Sequence, residues 1–249
     1  MKKIIWIDVG THYAQEYSSI FVKSYYYKKI LFTIFGHLLN WRLSKLANYL
    51  KEILIHLKTT QSIRINQNKF YNIFIEANKN IMIKKNDIYN FIDLPLNLAI
   101  IENKNNDEIN LVKLYIANAD FLSQGSSIFN TKKNISEKNY IYTLGITAHL
   151  FFNTIKNHLN KIFTDYEILL RLNCEGIEDT VIYSCVNLFG NKIKLIMGSL
   201  DDVKKIKGDK AHKNLLDFMI SENLDFVEFS PDPNTWINAH KNIKKKFNL

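Results

Sequence analysis

The chain opens on a stretch that is apolar on both faces. Lys3 to Glu16 reads KIIWIDVGTHYAQE, with Ile4 to Ile7 and Val9 around a single acid, Asp8. That pattern predicts a fully buried strand of a parallel sheet. It ends on Asp8-Val9-Gly10, where a residue without a Cβ suits a tight turn, and a helical pattern follows. A strand, a glycine turn and a helix start bring outward-facing N–H groups to a place where ligands bind. From Tyr17 to Lys58, Leu31, Ile34, Phe35, Leu38, Leu39, Leu46, Leu50, Ile53, Leu54 and Leu57 recur at steps of three and four. These predict helices, with Gly36 as a break between two of them. One crossover helix needs far fewer residues, so about 17–67 reads as a helical insertion forming a cap or lid near the ligand face. Tyr25-Tyr26-Tyr27-Lys28-Lys29 begins it. Packing, with the hydroxyls reaching water, is favoured there over gripping an acceptor or lying on a membrane.

Phe70 to Ala77 (FYNIFIEA) predicts the second buried strand, again ending on an acid, Glu76. A carboxylate at that strand end suits a ribose diol, of an adenosylmethionine or of a dinucleotide. Asp93 to Ile101 (DLPLNLAII) predicts a third strand entered through Pro95, in which the small Ala99 suits either an adenine ring or a plain core. A polar turn over Asn103 to Asn110 and an alternating Leu111 to Ala117 then predict a β-hairpin. In Gln124-Gly125-Ser126-Ser127, hydroxyl and N–H groups suit an anion and equally suit an ordinary loop. Tyr140 to Leu144 predicts a short strand and Thr147 to Phe163 a helix.

In EILLRLNCEGIEDTV, Glu167 to Val181, Ile168 to Leu172 is a buried strand, with Arg171 at an edge or in a salt bridge. Glu175, Glu178 and Asp179 then fall at a helix start, where the helix dipole favours acids. Lys192 to Met197 predicts a strand, Asp201 to Asn223 one or two helices with a break at Gly208, and Phe226 to Phe229 a late strand. Ser230-Pro231-Asp232-Pro233 ends it, and a polar, basic tail closes the chain.

At 249 residues and 47% apolar, the chain buries one large core or two small ones. Three prolines and eight glycines leave little room for a linker, so 1–249 reads as a single domain. Cys174 and Cys185 are not spaced for a metal site and read as reduced thiols of a cytoplasmic protein. The Lys2-Lys3 start leads into an apolar run too short for a secretory leader, and no run is long enough to span a bilayer. The net charge of +9 invites an anionic partner. Its lysines are scattered, with one run at Lys244-Lys245-Lys246, which argues against nucleic acid as that partner.

IDVGTHYAQE resembles the first motif of S-adenosylmethionine-dependent methyltransferases, and more narrowly the "IDVGAHxGEE" opening of the FkbM family. Ala14 stands at that family's second glycine. Glu76 matches an acid commonly followed by proline, here Ala77. Asn97 and Ala99 match its "N-x-A", Gly125-Ser126-Ser127 its "G-S-S", and LLRLNCEGIE its "LLKIDxEGAE", with Glu175, Gly176 and Glu178 in place and Asn173 for the first acid. Where the family carries "TLDD", this chain has Thr143-Leu144-Gly145.

The resemblance implies a Rossmann-like class I methyltransferase fold, α/β, with a mostly parallel central sheet flanked by helices and a helical insertion after the first strand. It implies S-adenosylmethionine held by Asp8, Gly10, Thr11, Ala14, Glu76, Ala77, Asn97 and Ala99. Glu175 is then the first candidate base, His12 the second, and Asn173 an orienting group. Ser126, Ser127 and Glu178 would meet the acceptor, a hydroxyl on a glycan or small metabolite. No metal is implied. Two alternatives stand beside this reading, a non-catalytic relative that binds or scaffolds, and an RNA methyltransferase. The insertion is also a candidate oligomer contact.

Overall fold

The computed structural model describes residues 2–39, 43–78, 81, 92–102, 108–117, 125–132, 135–230 and 232–249, with backbone alone for 37, 43–49, 51–52 and 54–55. Gln124, Pro231 and most of the turn expected over Asn103 to Asn110 lie outside the described residues.

Strand β1 (Lys3–Val9) is the centre of the main sheet. It pairs in parallel with β2 (Phe70–Ile75) on one side and with β7 (Tyr166–Leu172) on the other. Beyond β2 lies β3 (Leu94–Leu96); beyond β7 lie β8 (Ile193–Gly198) and β9 (Phe226–Glu228). The order is β3-β2-β1-β7-β8-β9, with every neighbouring pair parallel. Side chains of one strand alternate between faces. Ile5, Ile7 and Val9 therefore join one core cluster, while Ile4 and Trp6 join the other.

The first cluster is closed by α4 (Ala148–Ile162), α5 (Glu178–Phe189), α6 (Asp201–Lys207) and α7 (Asp209–Ser221). In α4, Ala148, Phe151, Phe152, Ile155 and Leu159 fall on one stripe at helical spacing. The second is closed by α1 (Gln15–Phe21), α2 (Lys23–Leu39), α3 (Leu43–Ile65) and α8 (Pro233–Lys246). Helices on both faces of a parallel sheet make this a Rossmann-like α/β fold.

Four expected elements differ. Asp93 to Ile101 is two strands: β3 joins the main sheet, while β4 (Ala99–Ile101) joins a second sheet of order β4-β6-β5. The expected hairpin partners are not neighbours. β5 (Ile109–Ala117) pairs antiparallel with the long β6 (Ile135–Thr147), which separates it from β4. Gly36 lies inside α2 rather than at a break. The C-terminal tail is a helix: Asp232 caps it by accepting from the Asn234 N–H, Pro233 takes the first turn, and Trp236, Ala239, His240 and Ile243 are buried.

One buried chain of hydrogen bonds takes a residue from each helix of the second layer. It runs from the Tyr26 hydroxyl to His56 Nδ1 (2.8 Å), from His56 Nε2 to His240 Nδ1 (2.6 Å), and from His240 Nε2 to Ser19 Oγ (3.0 Å). Ser19 in turn donates to the Glu16 carbonyl.

Candidate functional site

Two turns face each other where the strand order reverses, after β1 and after β7. Ligands of open α/β sheets bind at this point. Gly10 (φ 73°) opens the first turn, and its N–H and that of Thr11 both donate to the Ile75 carbonyl at the end of β2, at 2.9 and 3.0 Å. A Cβ on Gly10 would overlap the Asn173 carbonyl, so only glycine lets the two turns meet. His12 and Ala14 both hold left-handed backbone, φ 49° and 48°, and Glu175 on the second turn does the same at 60°. Non-glycine residues rarely adopt this conformation, and it clusters at functional sites.

The Glu76 carboxylate bridges the first turn and its own. It accepts from the His12 N–H and from the Asn78 N–H, each at 2.8 Å. Asn97 Nδ2 donates to the Glu76 carbonyl at 2.7 Å, and Thr143 Oγ1 to that of Ala77 at 3.0 Å, tying the second sheet to the site.

Of the expected residues, Gly10, His12, Glu76, Ala77, Ala99, Ser126, Ser127, Asn173 and Glu175 line one cleft. The other five stand behind it. Thr11 Oγ1 donates to the Asp8 carbonyl, Ala14 packs in the second core cluster, and Asn97 braces Glu76. Glu178 is buried and folds back, accepting from the Cys174 and Gly176 N–H groups at 3.0 and 2.9 Å. It shapes the second turn rather than facing the cleft, and burial pushes its pKa up to about 7.

Asp8 is committed elsewhere. Arg171, its cross-strand partner, donates through Nη1 to Asp8 Oδ1 and to the Gly10 carbonyl, both at 2.9 Å, and pairs through Nη2 with Glu16. All three side chains are almost wholly buried. Burial disfavours the charge on Arg171, but Glu16 and Asp8 outweigh it and its pKa is raised; burial raises that of Glu16. Sequence reasoning allowed Arg171 either a sheet edge or a salt bridge; the structure puts it in a central strand and in a salt bridge, with Asp8 and Glu16 as the partners that the sequence did not name. The signal for those partners was one acid, Asp8, and one base, Arg171, each inside the apolar run of its strand, since a buried charge needs a partner.

The cleft is narrow. Lys132 pairs with the Glu175 carboxylate and lies 3.4 Å from Asp202, while Ser127 Oγ donates to the Glu175 carbonyl at 2.9 Å. The space left is about 50 Å³, room for a water or two. His12 Nδ1 is buried with no hydrogen-bond partner among the described residues, and burial lowers the pKa of its ring. Among the described residues no three His, Cys, Asp or Glu side chains group as metal ligands. No family model matches the chain, and no curated protein or solved structure matches it either.

Proposed function

We propose that this chain is an S-adenosylmethionine-dependent methyltransferase acting on a hydroxyl of a sugar, glycan or small metabolite. The observation that carries the reading is Glu76. Each of its oxygens accepts one backbone N–H and keeps a lone pair for one of the two hydroxyls of a ribose. It stands beside the strand-order reversal, the place where nucleosides bind in such sheets. Ala99, on the cleft wall, offers a small side chain to a ring.

When bound, the cofactor supplies an electrophilic methyl group. The chain's part is to hold the acceptor oxygen in line and to take its proton. His12 suits that second task better than Glu175, because its Nδ1 has no partner among the described residues and its imidazole is kept neutral, whereas Glu175 is held by Lys132. Asn173 orients, since an amide cannot serve as a carboxylate base.

Calorimetry with S-adenosylhomocysteine tests the reading. Wild type binds, and Glu76→Gln binds about tenfold or more weakly, because an amide nitrogen cannot accept. No binding by wild type would overturn the reading. A second reading, a non-catalytic binding or scaffolding protein, is favoured by the small space left in the cleft and by the commitment of Asp8 to Arg171. Its signature is an absence of binding that persists in Lys132→Ala, where the closing ion pair is gone.

A further inference from the structure

The chain's lysines are scattered in sequence, but its charge is not evenly shared. Residues 17–67 carry eight basic residues against one acid, Glu52, a net +7 of the chain's +9. The remaining residues, nearly four-fifths of the chain, are close to neutral. The same insertion carries the largest exposed apolar side chains of the second layer. On α2, Tyr27, Leu31, Phe32, Phe35, Leu38 and Leu39 are each between 46% and 64% exposed, while Tyr26 and Ile30 of the same helix are buried. At ~100° per residue these six cover an arc of about 140°, and Lys28 falls within it. Lys23 and Lys29 flank it, with Lys29 Nζ 6.0 Å from the centre of the Tyr25 ring. No carboxylate of a described residue pairs with any of the three lysines.

We infer that α2 is a docking face for an anionic lipid bilayer, on which the helix lies flat with its leucine and phenylalanine side chains among the acyl chains. Three observations select that occupant. A second copy of the chain would set one +7 insertion against another. A nucleic acid would meet the lysines but would leave the leucines with nothing to pack on, since bases stack on aromatic rings. A bilayer with anionic headgroups satisfies both halves: phosphates and carboxylates meet the lysines, and hydrocarbon takes the apolar arc. From Tyr27 to Leu39 the arc runs ~18 Å along the helix, the form of an interfacial element. No helix of the described residues is long and apolar enough to cross a membrane. The inference does not depend on what the cleft binds.

Flotation of the full chain with vesicles is the test, using phosphatidylcholine with and without roughly one-third phosphatidylserine, at about 0.1 M and 0.5 M salt. The protein is expected to float with the serine-lipid vesicles at low salt and to fall away as salt rises. Combined Lys23→Gln, Lys28→Gln and Lys29→Gln is expected to weaken partitioning about a hundredfold, near fivefold per lysine. Phe32→Ser with Phe35→Ser is expected to weaken it while keeping the salt sensitivity. Four of these side chains are exposed and Lys29 is half-buried, so circular dichroism and melting should match wild type. Absence of flotation on anionic vesicles, or flotation that either variant leaves unchanged, overturns the inference. So does a concentration-dependent dimer in sedimentation velocity that Phe32→Ser with Phe35→Ser abolishes.

Discussion

Replacing Glu178 with glutamine should change how stability depends on pH, with a sign that follows from the site. The buried carboxyl titrates near 7 in the folded chain against 4.5 for its ordinary value. The folded chain therefore holds this proton more tightly than the unfolded one. The stability it contributes is complete below pH 4.5 and is lost as pH rises through 7. At ~1.4 kcal/mol per pH unit between those values, the most it supplies is about 3 kcal/mol, of which about 2.5 kcal/mol disappears between pH 5 and pH 8. Glutamine removes that dependence. Its single acceptor oxygen serves one of the Cys174 and Gly176 N–H groups and leaves the other unpaired, a constant cost of about 1–3 kcal/mol.

His56 and His240 run the other way. Burial lowers both pKa values, that of His56 to about 4, so their contribution is lost as pH falls below the ordinary histidine value of 6.5. They titrate alike in both proteins and cancel in the difference. Urea unfolding of wild type and Glu178→Gln at pH 5, 6, 7 and 8, followed by circular dichroism, gives that difference directly. It should widen toward acid by about 2.5 kcal/mol. A constant gap, or one that narrows toward acid, would refute the argument that burial governs this carboxyl.

Three further substitutions probe the frame of the site. Arg171→Met strands two buried carboxylates and should cost about 3–5 kcal/mol at neutral pH, read as a lower urea midpoint with an unchanged slope. Ala14→Gly should move stability by less than about 1 kcal/mol. Relief of left-handed strain, about 1–2 kcal/mol, is offset by the lost buried methyl, about 0.8 kcal/mol, and by a freer unfolded chain, about 0.4–1 kcal/mol. A gain above about 2 kcal/mol in urea melts would contradict that cancellation. Tyr26→Phe removes the hydroxyl facing His56 and should lower stability by about 1–3 kcal/mol in the same assay.

The central strands were legible because continuous apolar runs have few other uses in a chain of this size. β1, β2 and β7 all stand within two residues of their expected ranges. Where apolar runs misled, the cause was pairing. Leu94 to Ile101 reads as one run, yet Asn97 and Leu98 carry the backbone from one sheet to another, a long-range event with no local mark. β6 was underestimated because Ser136 to Asn139 is polar and shows no alternation. The C-terminal helix was misread for its lysines, although Pro233 and the three- and four-residue spacing of Trp236, Ala239, His240 and Ile243 announced it. Of the candidate site, the residues at strand ends were visible. Their supports were not, because Arg171 reaches Asp8 and Glu16 only once the sheet has formed.

The relay across α1, α2, α3 and α8 has a polarity that can be worked out from one end. The Glu16 carbonyl can only accept, so Ser19 spends its single hydroxyl proton there. His240 must then carry its hydrogen on Nε2 and accept at Nδ1; His56 must do the same; and Tyr26 becomes the initial donor. Each ring is thereby confined to one tautomer, and the four helices hold a one-way series in which no member can reverse alone. An added proton at His240 Nδ1 would set two N–H groups against each other and uncouple the carboxy-terminal helix from the insertion.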